Sequence, residues 1–111
     1  VGWFINGQLH TEDGPASILN DGTKRWHVNG LPHKEDGPAI EYGDGGKEWW
    51  INGKIHREDG PAIEWADGTK EWYINGNNIT ERVEKWMTSN NIPDHTEWTN
   101  KEKAVFKLKF L

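Results

Sequence analysis

The sequence predicts a mainly β protein: an antiparallel meander of tandem 23-residue β-hairpin repeats in one elongated sheet, with a small α-helical C-terminal cap. Tryptophan, Asn-Gly and Asp-Gly recur at this one spacing, and a fixed period of roughly 20–50 residues is typical of repeat architectures. Glycine recurs every few residues before residue 79, which disfavours helices there. After Asn78 the apolar residues change to helical spacing.

Several landmarks define the repeat unit in one register. The motif E-D-G-P-A occurs three times, and a tryptophan, an Asn-Gly pair and a histidine return with the same spacing. These positions are Trp3, Trp26, Trp49 and Trp72; Asn6, Asn29, Asn52 and Asn75; and His10, His33 and His56. We therefore expect three full repeats and a partial one in residues 1–79, and a helical cap or tail in residues 80–111.

The Asn-Gly pairs predict the second hairpin of each repeat. Asn-Gly favours a two-residue type I′ turn, because both central residues have positive φ. Around Asn52-Gly53 this register places Trp49 opposite His56. The same count pairs Trp26 with His33, Trp3 with His10 and Trp72 with Ile79. We expect each histidine to lie flat against the tryptophan of its own hairpin, a structural contact worth roughly 0.2–1 kcal/mol.

Neither catalysis nor metal binding is expected from the polar residues. The histidines lack clustered carboxylates at ligand spacing, and three equivalent copies of a catalytic base have no evident use. Asp13, Asp36 and Asp59 precede Gly-Pro and are expected to be turn residues, since one Glu-Asp pair per repeat supplies too few oxygens for calcium. No phosphate-binding loop, dinucleotide fingerprint or nucleophile elbow occurs. We expect no enzyme, cofactor or metal.

The Asp-Gly pairs predict the first hairpin of each repeat, again with a two-residue turn. Around Asp67-Gly68 this register places Ile63 opposite Trp72 and Trp65 opposite Lys70. Two glutamate pairs then face each other across strands, Glu41 with Glu48 and Glu64 with Glu71. Like charges directly opposite are mildly destabilising. Arg57, across from Glu48 on its other side, would relieve one of these pairs.

One face of the predicted sheet combines aromatic and acidic side chains. The aromatic positions are Phe4, His27, Trp50 and Tyr73, and the acidic positions beside them are Glu41, Glu48, Glu64 and Glu71. An aromatic and acidic stripe on a sheet face is a candidate docking surface for a protein partner with a basic surface. The alternative is that Trp50 and Tyr73 pack on Ile55 or on the tail.

Charge and composition exclude several classes of partner. The formal net charge is −5, the repeat part is acidic and the tail is slightly basic, so binding to nucleic acid is not expected. No apolar run is long enough to span a membrane, and no signal peptide is visible, so we expect no membrane partner and a cytoplasmic location. Cysteine is absent, which excludes disulfides and thiolate metal sites.

The segment N-G-K-I-H-R-E-D-G-P-A-I-E-W-A-D-G-T-K-E-W-Y of Asn52–Tyr73 resembles a variant of the MORN repeat. The resemblance covers residues 1–80, with Trp49-x-Ile51 in place of the familiar Tyr-x-Gly opening. It implies an elongated β array that binds proteins, sometimes dimerises and has no catalytic activity. The H-R-E-D-G-P-A unit is similar to repeats of tailed phages and large DNA viruses, which implies a viral protein in the host cytoplasm.

The tail contains two helix signals. Thr80 is expected to cap a helix on which Val83, Trp86 and Met87 share one face, and Asn90-Asn91 is expected to end it. Thr99 with Glu102 predicts a capping box at a second helix. The final F-K-L-K-F alternates and fits a strand equally well, with Phe106, Leu108 and Phe110 on one face.

The tail has two candidate roles. A repeat array leaves its last unit open, so a terminal cap is physically required. Alternatively the tail binds a partner or forms a homodimer through its lysines, Lys101, Lys103, Lys107 and Lys109.

These features favour a non-catalytic protein-protein interaction module, a phage or viral protein that binds a host protein and inhibits host defence or transcription. The alternatives are a tryptophan-rich repeat that binds carbohydrate or choline, and a structural component of a virus particle that adds a strand to a neighbour.

Overall fold

A computed structural model describes residues 15–111 and, before them, the backbone of two short strands. The described chain is mainly antiparallel β structure, rich in hairpins, with two α-helices and one 3₁₀ turn at its end. The strands are β1 Phe4–Ile5, β2 Gln8–Leu9, β3 Ser17–Ile18, β4 Lys24–Arg25, β5 His27–Val28, β6 Leu31–Pro32, β7 Ile40–Glu41, β8 Lys47–Glu48, β9 Trp50–Ile51, β10 Lys54–Ile55, β11 Ile63–Glu64, β12 Lys70–Glu71, β13 Tyr73–Ile74 and β14 Asn77–Asn78. The helices are α1 Thr80–Ser89 and α2 Asn100–Phe110, and the 3₁₀ turn is His95–Glu97.

The strands divide into one sheet and a row of separate hairpins. The sheet has six antiparallel strands in the order β12-β11-β8-β7-β4-β3, and β1-β2, β5-β6, β9-β10 and β13-β14 form two-stranded hairpins. A single elongated sheet is therefore not confirmed. In three repeats one tryptophan separates the two parts, at Trp26, Trp49 and Trp72. Trp49 lies between β8 and β9, and its N–H donates to the Ala62 carbonyl at 2.8 Å.

The Asn-Gly turns have the predicted geometry. Asn52 and Gly53 have φ of 50° and 79°, as a type I′ turn requires, and Trp50 pairs with Ile55. The His56 N–H donates to the Trp49 carbonyl at 3.0 Å, which confirms the predicted pairing. The equivalent pairs Trp26–His33 and Trp72–Ile79 are also present, whereas Trp3 and His10 lie outside the described residues.

The predicted register of the Asp-Gly hairpins is wrong by one residue. Ile63 pairs with Glu71 rather than Trp72, and Glu64 rather than Trp65 pairs with Lys70. The loop has three residues, because Trp65 pairs with Thr69 and its carbonyl accepts the Gly68 N–H at 2.9 Å. Such a loop needs positive φ only at its last residue, and Gly68 has φ of 92°.

This register removes the predicted pairs of like charge. Glu41 faces Lys47 in the sheet, and Glu64 faces Lys70. Glu48 and Glu71 lie opposite isoleucines instead of glutamates. The sheet is thus stabilised by cross-strand pairs of opposite charge.

The first helix begins where predicted but is capped differently. The Oδ1 of Asn78 accepts hydrogen bonds from the Thr80 N–H and hydroxyl at 3.0 and 2.6 Å. The Thr80 hydroxyl oxygen accepts the Trp72 N–H at 2.9 Å instead of capping the helix. At the other end Asn91 has φ of 53°, and the Ile92 N–H donates to the Met87 carbonyl at 2.9 Å, a left-handed C-terminal motif.

The second helix continues through the segment that fitted a strand equally well. Glu102 accepts hydrogen bonds from the N–H and hydroxyl of Thr99 at 3.1 and 2.9 Å, as the capping box predicts. Phe106 and Phe110 are buried one turn apart, whereas Leu108 is 86% exposed. The strand alternative is therefore wrong. In the part of the chain that the structure describes, no helix has the length and apolar character needed to cross a membrane.

Both helices pack on the last repeat in one hydrophobic core. The repeat contributes Trp72, Ile74 and Ile79, and the tail contributes Val83, Trp86, Trp98, Phe106 and Phe110. The aromatic rings contact each other in tilted and edge-to-face arrangements, with centroids 5.1–6.2 Å apart. Ring contacts of this kind stabilise beyond the area that they bury.

Candidate functional site

A groove between two successive repeats forms a large concave site. Its volume is about 610 Å³. Its floor is formed by Trp49 and Ile51, and its rims are the turns at residues 34–37 and 56–59. Lys107 of α2 lines one end. We refer to this site as the inter-repeat groove.

An arginine covers the indole at the floor of the groove. The Arg57 guanidinium lies 3.8 Å from the ring centroid of Trp49, a cation–π contact. Lys34 lies 3.9 Å from the Trp26 ring one repeat earlier. This contact was not predicted from the sequence, although the cation follows the repeat histidine in both units and so shares the 23-residue period.

The same arginine connects the groove to the sheet. Its Nη1 donates to the Pro61 carbonyl and to Glu64 Oε2, each at 3.0 Å. Its Nε donates to Asp59 Oδ1 at 3.1 Å. The predicted contact of Arg57 with Glu48 is therefore replaced by one with Glu64. Arg57 is held in place by two carboxylates and one carbonyl over the indole.

The repeat histidines join one repeat to the next. His33 Nδ1 accepts the Asn52 N–H at 2.9 Å, and His56 Nδ1 accepts the Asn75 N–H at 2.9 Å. Because Nδ1 accepts, the proton lies on Nε2, and His56 Nε2 faces Glu58 Oε2 at 2.9 Å. His33 and His56 thus each order the Asn-Gly turn of the following repeat. Among the described residues, no group of three or more His, Asp or Glu is arranged to hold a metal ion.

Replacing His56 with alanine is expected to lower the free energy of unfolding by about 1–2 kcal/mol, because the Asn75 N–H loses its acceptor. His56→Asn is the matched control, since an amide oxygen can occupy the place of Nδ1 and should restore much of the loss. Urea unfolding of both variants measures the difference. Equal stability of wild type and His56→Ala would show that this hydrogen bond contributes nothing.

The predicted aromatic stripe is only partly at the surface. His27 is 7% exposed, and burial, followed by the charge of Arg25, lowers the pKa of its imidazole. Trp50 and Tyr73 are half-buried; the Trp50 Nε1–H donates to Glu48, and the Tyr73 hydroxyl oxygen accepts from Asn78 Nδ2 at 3.2 Å. The side chain of Phe4 lies outside the described residues.

The predicted acidic stripe is engaged inside the protein. Glu48 accepts from the Tyr42 hydroxyl at 2.6 Å and from Trp50 Nε1 at 2.8 Å. Burial and this carboxylate raise the pKa of Tyr42 to about 12. Glu71 accepts from Trp65 Nε1 at 2.8 Å. Glu64 accepts from Arg57, so three of the four carboxylates accept hydrogen bonds from other side chains, and Glu41 faces Lys47 across the sheet.

The repeat symmetry shows what fills such a groove. One repeat after Trp49, Ile51 and His56 come Trp72, Ile74 and Ile79, which are buried under the two tail helices. Thr80 takes the place of Arg57, so no cation covers the last tryptophan. The tail therefore occupies the last groove, whereas the equivalent groove one repeat earlier is open.

No known family model, curated protein or solved structure matches this chain.

Proposed function

We propose that the chain is a non-catalytic protein-binding module, built from MORN-like repeats in residues 1–79 and a cap in residues 80–111. The observation that supports this most strongly is the pair of equivalent grooves. The last groove receives helices of the chain's own tail, and the preceding one is open. A surface that packs helices at one repeat is suited to receive a helical segment of another protein at the next.

The partner is expected to present a basic surface. The rim acids Glu35 and Glu58 have side chains 86% and 47% exposed, and Asp36 and Asp59 are also exposed. The groove's arginine is 17% exposed and already paired. An incoming segment therefore meets mostly negative charge at the rim and an aromatic floor beneath it.

The sheet face with Trp50 and Tyr73 is the second part of the proposed surface. Both side chains remain half-exposed, and this face would extend the contact beyond the groove. The similarity to phage and viral repeats supports a host protein as the partner, in the host cytoplasm, with inhibition of defence or transcription as the outcome. The helical tail would serve as the cap of the array.

Charge reversal at the groove rim tests this proposal. Glu35→Lys with Asp36→Lys is expected to reduce capture of a basic bacterial protein by about tenfold or more, because both changes oppose the partner's charge. Glu84→Lys with Glu97→Lys makes the same change of net charge at exposed positions outside the groove. This control should capture as wild type does, in quantitative pulldown with mass spectrometry.

A third variant separates the groove from the sheet face. Trp50→Ala with Tyr73→Ala should weaken capture if the sheet face contributes to binding, provided that circular dichroism shows an intact fold. Equal capture by the groove variant and its control would contradict a groove site. Loss with the sheet-face variant alone would place the partner on the sheet instead.

A further inference from the structure

A second cleft lies between the two helices of the tail, and its lining is basic where the rim of the inter-repeat groove is acidic. Its volume is about 350 Å³, at the lower end of ligand sites. Lining side chains from α1 are Arg82, Lys85, Trp86 and Ser89, followed by Asn90; those from α2 are Lys109 and Phe110. We refer to it as the helical cleft. It shares no residue with the inter-repeat groove.

The helical cleft concentrates positive charge in an acidic protein. Arg82, Lys85 and Lys109 line it, and no carboxylate side chain does. Within residues 15–111 none of these three cations forms an ion pair with a carboxylate. The chain has a formal net charge of −5, so a cluster of three unpaired cations is a local feature of this cleft. Such a cluster attracts an anionic ligand.

The floor of the cleft is aromatic. The rings of Trp86 and Phe110 meet edge to face, with centroids 5.7 Å apart at 77°. The Arg82 guanidinium lies 5.5 Å from the Phe110 centroid, and Lys109 Nζ lies 6.0 Å from it. These contacts hold two of the cations at the rim of an apolar floor. The site therefore combines a charged rim with an apolar contact surface.

The burial of the two aromatic rings determines which class of anionic ligand fits the cleft. Trp86 is 6% exposed and Phe110 is 9% exposed, so neither ring offers a free face on which a nucleobase could stack. The edges that remain suit an aliphatic or aromatic side chain. Three cations pair well with two or three carboxylates, because guanidinium and carboxylate form charge-assisted hydrogen bonds.

We propose that the helical cleft binds an acidic peptide segment, in which two or three carboxylates flank one large apolar side chain. The carboxylates pair with Arg82, Lys85 and Lys109, and the apolar side chain lies against the edges of Trp86 and Phe110. This site is independent of the inter-repeat groove and has the opposite charge preference. One chain would then hold a basic segment in the groove and an acidic one at the cap.

The test uses the purified full chain and short fluorescein-labelled peptides in fluorescence anisotropy. An acidic peptide with a central phenylalanine is expected to bind, and binding should weaken as salt rises. Replacing its glutamates with glutamine should abolish binding, and replacing its phenylalanine with alanine should weaken it. Arg82→Ala, Lys85→Ala and Lys109→Ala should each weaken binding by about tenfold, since each removes a charge-assisted contact.

Lys101→Ala is the matched control, because this exposed lysine of α2 does not line the cleft. Its affinity should equal that of wild type. Thermal unfolding checks that all variants remain folded. Equal loss in Lys101→Ala and Lys109→Ala, or no binding of any acidic peptide, would overturn the proposal. Tighter binding of a single-stranded oligonucleotide of equal charge would overturn it in favour of a phosphate site.

Discussion

Replacing Phe106 with alanine is expected to lower the free energy of unfolding by about 3–5 kcal/mol. Phe106 is fully buried and lies at the centre of the aromatic cluster. Its ring centroid is 5.4 Å from that of Trp98, 5.1 Å from that of Phe110 and 6.2 Å from that of Trp86. Alanine removes the ring and leaves a cavity that three rigid aromatic neighbours cannot fill.

The loss should extend from the tail into the last repeat, because one core contains residues of both. Urea unfolding followed by tryptophan fluorescence and by circular dichroism measures the loss and its cooperativity. Leu108→Ala is the control on the same helix, since Leu108 is 86% exposed and its removal should change stability by less than about 0.5 kcal/mol. Similar stability of the two variants would show that Phe106 does not lie in a packed core, and separate transitions by fluorescence and circular dichroism would show that the tail and the last repeat do not share one.

The sequence alone predicted the structure correctly wherever a single local motif determines the local backbone conformation. The Asn-Gly turn needs two residues with positive φ, and Asn52 and Gly53 have them. The capping box at Thr99 and Glu102 formed for the same reason, since its hydrogen bonds are local. The apolar spacing of Val83 and Trp86 likewise predicted the buried face of α1.

The Asp-Gly register failed because this dipeptide is compatible with two loops. A two-residue turn needs positive φ at the aspartate, whereas a three-residue loop needs it only at the glycine. Asp67 Oδ1 accepts the Thr69 N–H at 2.9 Å, and this hydrogen bond lowers the pKa of Asp67. It stabilises the longer loop. A shift of one residue moves every side chain to the other face of a strand, so the predicted contacts of the glutamates changed with it.

The inter-repeat groove could not be predicted from the sequence, for a different reason. Its walls come from two repeats and from Lys107 of α2. No local sequence pattern predicts how the tail packs against the repeats. The signal that was available is the cation after two of the three repeat histidines, Lys34 and Arg57, which lie one 23-residue period apart. Thr80 takes this position in the last repeat, on which the tail packs, but Thr11 takes it in the first repeat as well, so the residue type alone does not identify that groove.

Replacing Gly43 with alanine is expected to lower the free energy of unfolding by about 1–3 kcal/mol. A Cβ at this position would overlap the carbonyl oxygen of Asp21 and lie 2.9 Å from its carbonyl carbon. The Gly43 N–H donates to the Thr23 hydroxyl oxygen at 3.1 Å, which holds the two Asp-Gly loops together. Because the obstructing atoms are backbone, no side-chain rotation can relieve the overlap, and the loops must separate.

The third repeat offers the matched position for this experiment. Ala66 stands where Gly43 stands one repeat earlier, so the loop itself accepts a Cβ, and Ala66→Gly should change stability by less than about 1 kcal/mol. The cost of Gly43→Ala would then come from the neighbouring loop and not from the turn. If Gly43→Ala unfolds at the same urea concentration as wild type, the backbones of the two loops are not in contact. The loops beside the paired strands β4 and β7 would then be farther apart at this end of the six-stranded sheet.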